Sequence, residues 1–187
     1  MEKILELQND TRIVRYCEKK VSHAITAYLD SVFFGASATK VFPDEAARAA
    51  FRLRWLGNYL IHHPKEAFLA LGRDDALAGY LVGSLDDPAS DPRQADLGYF
   101  QDLAPYTRRF PAHLHVNLAA HYRSHGVGSR LLEAFCAHAT ALGAPGVHVV
   151  TGQGMRNVGF YTRNGFVQVG EAMWNGRPLV MLGRPLV

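Results

Sequence analysis

The order of apolar and polar positions along the chain predicts a mixed α/β fold. Residues Thr11 to Cys17 alternate as a strand should, and Val21 to Phe34 carries the pattern of a first helix. Pro43, Asp44 and Glu45 mark a second helix start with Asp44 as N-cap. Ala47, Phe51, Trp55 and Tyr59 then recur every four residues until His63 and Pro64 end the run. Ala67 to Leu71 and Ala76 to Leu85 read as two short strands joined by the Arg73–Asp75 turn. A strand from Ala112 to Leu118 precedes a helix from Ser129 to Leu142, whose Leu131, Leu132, Phe135, Ala139 and Leu142 share one face before Gly143 stops it. Val147–Thr151, Phe166–Val169 and Leu179–Leu182 complete the strands, and Asn157–Asn164 is a short helix. The polar, proline-containing stretch from Asp86 to Pro111 is too long for an ordinary connection and reads as disordered or functional.

Composition narrows the class. At 187 residues, with 48% hydrophobic and 20% charged side chains, the chain is expected to be one soluble globular domain. Charges scattered through the first twenty residues argue against a signal or transit peptide. No stretch reaches the ~18 apolar residues of a spanning helix, so no membrane role is expected. Cys17 and Cys136 lack any paired spacing, and both are read as reduced, buried packing residues of a cytoplasmic protein. Residues 1–100 carry 12 basic and 14 acidic groups, whereas 101–187 carry 8 and 3, so the C-terminal half should attract an anion. No basic run or basic helix stripe accompanies this bias, which favours a phosphorylated small molecule over nucleic acid.

The chemistry concentrates where the Ala112–Leu118 strand passes through a glycine turn into the following helix. Backbone N–H groups from Ser124 to Ser129 (Ser124, His125, Gly126, Val127, Gly128, Ser129) point outward from a helix N-terminus and form an anion cradle. Gly126 and Gly128 leave those amides open, because a Cβ there would hold a phosphate away. Alone, the pattern Arg123-x-x-Gly126-x-Gly128 is weak, arising by chance in roughly one protein in five of this length. A P-loop is excluded by the absence of Gly-Lys-[Ser/Thr], and a dinucleotide fingerprint by the missing third glycine.

A second signal, Phe160-Tyr161-x-x-x-Gly165-Phe166, follows after one helix and one strand. Together the two motifs resemble the acetyl-CoA site of the GNAT superfamily of N-acetyltransferases. Within it, the segments Leu97–Phe100 and Arg109–Leu118 resemble the acetyltransferase-like domain associated with O-GlcNAc hydrolases. The resemblance implies a central mixed, twisted sheet of about six to seven strands flanked by about four helices. It also implies a single domain over 1–187, with an acceptor side (1–111), an acetyl-CoA-binding core (112–169) and closing C-terminal strands (170–187). Acetyl-CoA is the implied co-substrate. Backbone groups of Val116, Asn117 and Leu118 fall to the pantetheine arm, and Arg123 with Ser124–Ser129 to the pyrophosphate. Tyr161 takes the place of the tyrosine that protonates the departing thiolate. Two positions depart from the pattern. Gly154 stands where many members have asparagine, with Asn157 at a usual small-residue position, and Val149 replaces an acid some members use as base.

The base candidates are therefore His113 and His115, which alternate onto one face of their strand and resemble the histidines of arylalkylamine N-acetyltransferases. Two satisfied strand histidines are the bland alternative, and a metal pair with His121 or His125 lacks a completing ligand. The acceptor is expected to be a primary amine on a small molecule or a protein. Asp96 and Asp102 are read as attracting it and Tyr99, Phe100 and Tyr106 as supplying ring faces. A catalytically silent CoA-binding or interaction module is the competing class, and pairing of two copies into a homodimer is compatible with either.

Overall fold

The computed structural model describes residues 11–19 and 23–186. Residues 1–10, with most of the charged N-terminal stretch, and Val21 and Ser22, the first residues of the predicted helix, lie outside the described residues. Seven strands form one mixed sheet in the order β1-β2-β3-β4-β5-β7-β6. They are β1 (Arg12–Arg15), β2 (Phe68–Leu71), β3 (Leu77–Ser84), β4 (Ala112–Leu118), β5 (Gly146–Gly152), β6 (Val167–Trp174) and β7 (Arg177–Pro185). The helices are α1 (His23–Ala36), α2 (Glu45–Arg52), α3 (Asn58–His62), α4 (Tyr99–Thr107), α5 (Val127–Ala141) and α6 (Arg156–Arg163). No helix among the described residues is long and apolar enough to cross a membrane. The chain divides into two compact units, Met1–Gly83 with His115–Phe135, and Ser84–Leu114 with Cys136–Val187.

In the first unit β1 pairs antiparallel with β2, and β2 with β3. Every position of β2 and β3 is buried, which is why both read as continuous apolar runs rather than as alternating strands. Leu29, Val32 and Phe33, at helical spacing on α1, pack with Leu56, Tyr59, Leu69, Leu71 and Tyr80 in one core. Lys40 Nζ closes the C-terminal end of α1 by donating to Phe34 O at 2.9 Å and Gly35 O at 3.0 Å. Asp44 caps α2 as expected, its Oδ1 accepting from the Ala47 N–H at 2.7 Å. The run read as one helix is interrupted by a π-helical turn over Leu53–Gly57, which shifts the four-residue row before α3 begins.

Gly79 lets β3 lie close against the end of β4. A Cβ there would collide with Leu118 Cδ2 and sit 2.7 Å from Asn117 O. The backbone contact beside it is the Ala119 N–H donating to Ala78 O at 3.0 Å. Gly79→Ala is therefore expected to cost about 1–3 kcal/mol, as overpacked sites do, and a thermal melt of the variant checks it.

In the second unit β4 and β5 run parallel, with Ala112 opposite Val147 and His113 opposite His148. β7 pairs antiparallel with both β5 and β6. The β6–β7 hairpin turns at Asn175 and Gly176, both at positive φ (49° and 73°), the requirement of a tight primed turn. Its strands are longer than the Phe166–Val169 and Leu179–Leu182 runs read from the sequence.

Two expectations are corrected. The Asp86–Pro111 stretch is not an irregular loop. It holds a 3-10 turn at Pro92–Gln94 and then α4, which tolerates Pro105 inside it. Tyr99, Phe100 and Leu103 are buried on its inner side, Tyr99 meets Trp174 with ring centroids 5.7 Å apart, and the Tyr106 ring lies against Gly170. Shortening 90–107 would thus remove core rather than trim a surface loop. Cys17, read as buried, is exposed because it lies in a 3-10 turn after β1, whereas Cys136 is buried.

Candidate functional site

The first unit gathers the strand end and the glycine turn. After β4 the chain makes a 3-10 turn at Ala120–Tyr122, and Arg123 Nε reaches back to Leu118 O at 3.2 Å, bracing the turn on the strand. Ser124 and Gly126 both have positive φ, 64° and 76°. For a serine this conformation costs about 1–2 kcal/mol, the kind of local strain that persists where the surrounding structure needs an unusual backbone path. α5 starts at Val127, so Gly128 and Ser129 lie in its first turn, two residues earlier than the sequence pattern placed the helix start. The first turn-closing bond runs from the Arg130 N–H to Gly126 O at 3.1 Å. Among the described residues no acceptor meets the N–H groups from Ser124 to Ser129. Amides so aligned at the start of a fifteen-residue helix are suited to an anion's oxygens. His125, half-buried in this turn, keeps Nδ1 out of solvent with no hydrogen-bond partner among the described residues.

Val116, Asn117 and Leu118 are half-buried on the last part of β4. Asn117 Nδ2 donates to Tyr80 Oη at 2.8 Å, which fixes that side chain. Tyr80 is wholly enclosed, and burial pushes its phenol well above the ordinary range, offset in part by the Asn117 bond. His115 Nε2 lies 3.3 Å from Tyr59 Oη, and the Trp55 ring stands edge-on to the imidazole, centroids 5.3 Å apart and planes at 85°. In the sequence Trp55 and Tyr59 read only as part of one apolar helix row.

The second unit holds the other candidates. Tyr161, on α6, is 5% exposed, between Phe160 and Phe166 with ring centroids at 5.1 and 5.5 Å. Burial alone raises its pKa far above that of a free phenol. The carbonyl of Tyr161 accepts from the N–H groups of Asn164 and Phe166, closing α6 around Gly165. Gly154 takes positive φ (73°) in the turn before α6, and Asn157 Oδ1 accepts from Thr151 Oγ1 at 3.0 Å. His113 is 5% exposed, beside His148 and Phe100 with ring centroids at 5.6 and 6.4 Å. The two strand histidines therefore occupy different surroundings. Asp96 and Asp102 are exposed, whereas Tyr99 and Phe100 are interior, so those two rings present no face to an acceptor.

The phenols give a pH prediction. Tyr80 and Tyr161 have folded pKa values raised above the unfolded value near 10, so their contribution to stability is complete below about pH 10 and is lost as pH rises beyond it. Of eight tyrosines, these two should ionise only as the fold is lost, visible as phenolate absorbance appearing together with the far-UV transition.

Residues 29–166, spanning both motifs, match the acetyltransferase (GNAT) family. The chain belongs to that family. Acetyl transfer is the chemistry this membership supports. Solved structures agree on the fold. SsHAT is 21% identical, with a TM-score of 0.71 over 95% of this chain and 99% of that one. PH1933 from Pyrococcus horikoshii OT3 is 15% identical, with a TM-score of 0.67 over 94% and 98%. A chain of the NatC complex bound to Gag peptide and CoA is 13% identical, with a TM-score of 0.64 over 95% and 99%.

Proposed function

We propose that this GNAT-family protein transfers acetyl from acetyl-CoA to a primary amine by direct attack. The observation that carries the reading is the set of amides from Ser124 to Ser129 with no acceptor among the described residues, at a helix start reached through positive φ at Ser124 and Gly126. They would hold the pyrophosphate, with Arg123 bracing the turn and the β4 backbone at Val116–Leu118 meeting the pantetheine arm. The NatC neighbour's bound CoA and peptide are consistent with a CoA-dependent reaction on an amine.

In the reaction the amine nitrogen forms a bond to the thioester carbonyl carbon and the carbon–sulfur bond breaks. The proton lost by the ammonium goes to a base, and the thiolate gains one from an acid. His115 is the stronger base candidate, because it is half-buried on β4 whereas His113 keeps its Nε2 out of solvent. Tyr161, by its place in the family motif, is the acid, and its raised pKa keeps the proton available across the working pH range. Asp96 and Asp102 remain candidates for drawing in a cationic acceptor, while Tyr106 belongs with the packing of α4.

The competing reading is a silent CoA-binding module, as in the resemblance to the hydrolase-associated domain. It is favoured by Val149, a buried apolar side chain where some members carry a base. Thiol release from acetyl-CoA across primary amines (arylalkylamines, polyamines, lysine and N-terminal peptides) separates the two. Amine-dependent release supports the enzyme; acetyl-CoA binding with no release from any of them supports the module.

A further inference from the structure

We infer that Tyr59 is a positioning residue for His115: by accepting the Nε2–H it fixes the imidazole tautomer and directs proton uptake to Nδ1. The inference rests on the proposed role of His115 as base, and it names which nitrogen acts and what holds the ring. Tyr59 is 3% exposed and its Oη lies 3.3 Å from Nε2, so the Nε2 side of the ring faces a buried phenol rather than an incoming amine. A phenol can donate or accept. If it donated into Nε2, the neutral ring would carry its proton on Nδ1 and have no lone pair to offer there. If it accepts from Nε2–H, the Nδ1 lone pair is the one that takes the ammonium's proton.

The second arrangement also strengthens with reaction. Once Nδ1 is protonated, Nε2–H···Oη becomes a bond from a cation, which is stronger than its neutral counterpart and favours the protonated ring. Trp55, edge-on at 5.3 Å, limits rotation of the imidazole. Trp55, inside the π-helical turn at Leu53–Gly57, and Tyr59, just after it, both meet the same histidine. Among the described residues, ring contacts place Tyr59 and, behind it, His63 in this cluster, the Tyr59 and His63 ring centroids 6.3 Å apart.

The test needs no acceptor. In the full chain with isotope-labelled histidine, the His115 resonance is assigned by its loss in His115→Gln, and pKa and tautomer are read by NMR. Tyr59→Phe keeps the ring and removes the acceptor. The expected result is an Nε2–H tautomer in the unmodified protein and a His115 pKa lower by about one unit in Tyr59→Phe. An Nδ1–H tautomer, or a pKa that rises or stays fixed in the variant, overturns the inference. The base assignment is tested separately by the acidic limb of kcat/KM with 2-phenylethylamine. A limb that moves down with the NMR value supports both. A limb that ignores a real NMR shift removes His115 as base while leaving Tyr59 as the residue that orients it.

Discussion

Gly128→Val weakens acetyl-CoA binding by at least about a hundredfold in a protein that still folds; this is the largest binding effect expected. Gly128 lies in the first turn of α5, among the amides that have no acceptor among the described residues. A branched side chain there keeps a phosphate beyond hydrogen-bond reach. Two lost charge-assisted bonds at about 1.5–3 kcal/mol each come to about 3–6 kcal/mol, and a tenfold change in affinity needs only about 1.4. Helix propensity runs the other way, since valine is a better helix former than glycine. A calorimetric titration beside a circular-dichroism melt therefore distinguishes a lost site from a lost fold. Unchanged affinity in the folded variant would move the cofactor elsewhere.

Tyr161→Phe should lower turnover by about 10²–10⁴-fold while acetyl-CoA binds as before. The substitution removes one hydroxyl from a ring packed by Phe160 and Phe166, so shape and apolar contact are retained. Burial favours the neutral phenol, so its ionisation should produce no basic limb in the rate profile below about pH 10. Unaltered turnover in the variant would make Tyr161 a core residue and nothing more.

The parts of this account that are legible in the sequence are those encoded locally. β4 is readable to both ends because Pro111 stands just before seven residues that hold no glycine or proline. The glycine turn is readable because Arg123 to Ser129 is a single contiguous segment, and Asp44 because a cap acts three residues away. α4 is hidden by Pro105 and by flanking aspartates that give the segment the composition of a loop, although its buried Tyr99, Phe100 and Leu103 make it part of the core. β6 is masked by its alternation of exposed and half-buried positions and by Gly170 in its middle. The contrast between His113 and His115 is not in their spacing. It comes from partners distant in sequence: His148 and Phe100 for one, Tyr59 and Trp55 for the other. The π-helical turn that holds Trp55 has no periodic signal of its own.

The central claim is that the amides from Ser124 to Ser129 grip the pyrophosphate of acetyl-CoA. Amide NMR of the full chain during titration with acetyl-CoA tests it most directly. The account predicts the largest shifts at Ser124 through Ser129, reproduced by CoA and absent with pantetheine, which lacks the pyrophosphate. Saturable binding that leaves those amides unmoved would contradict it.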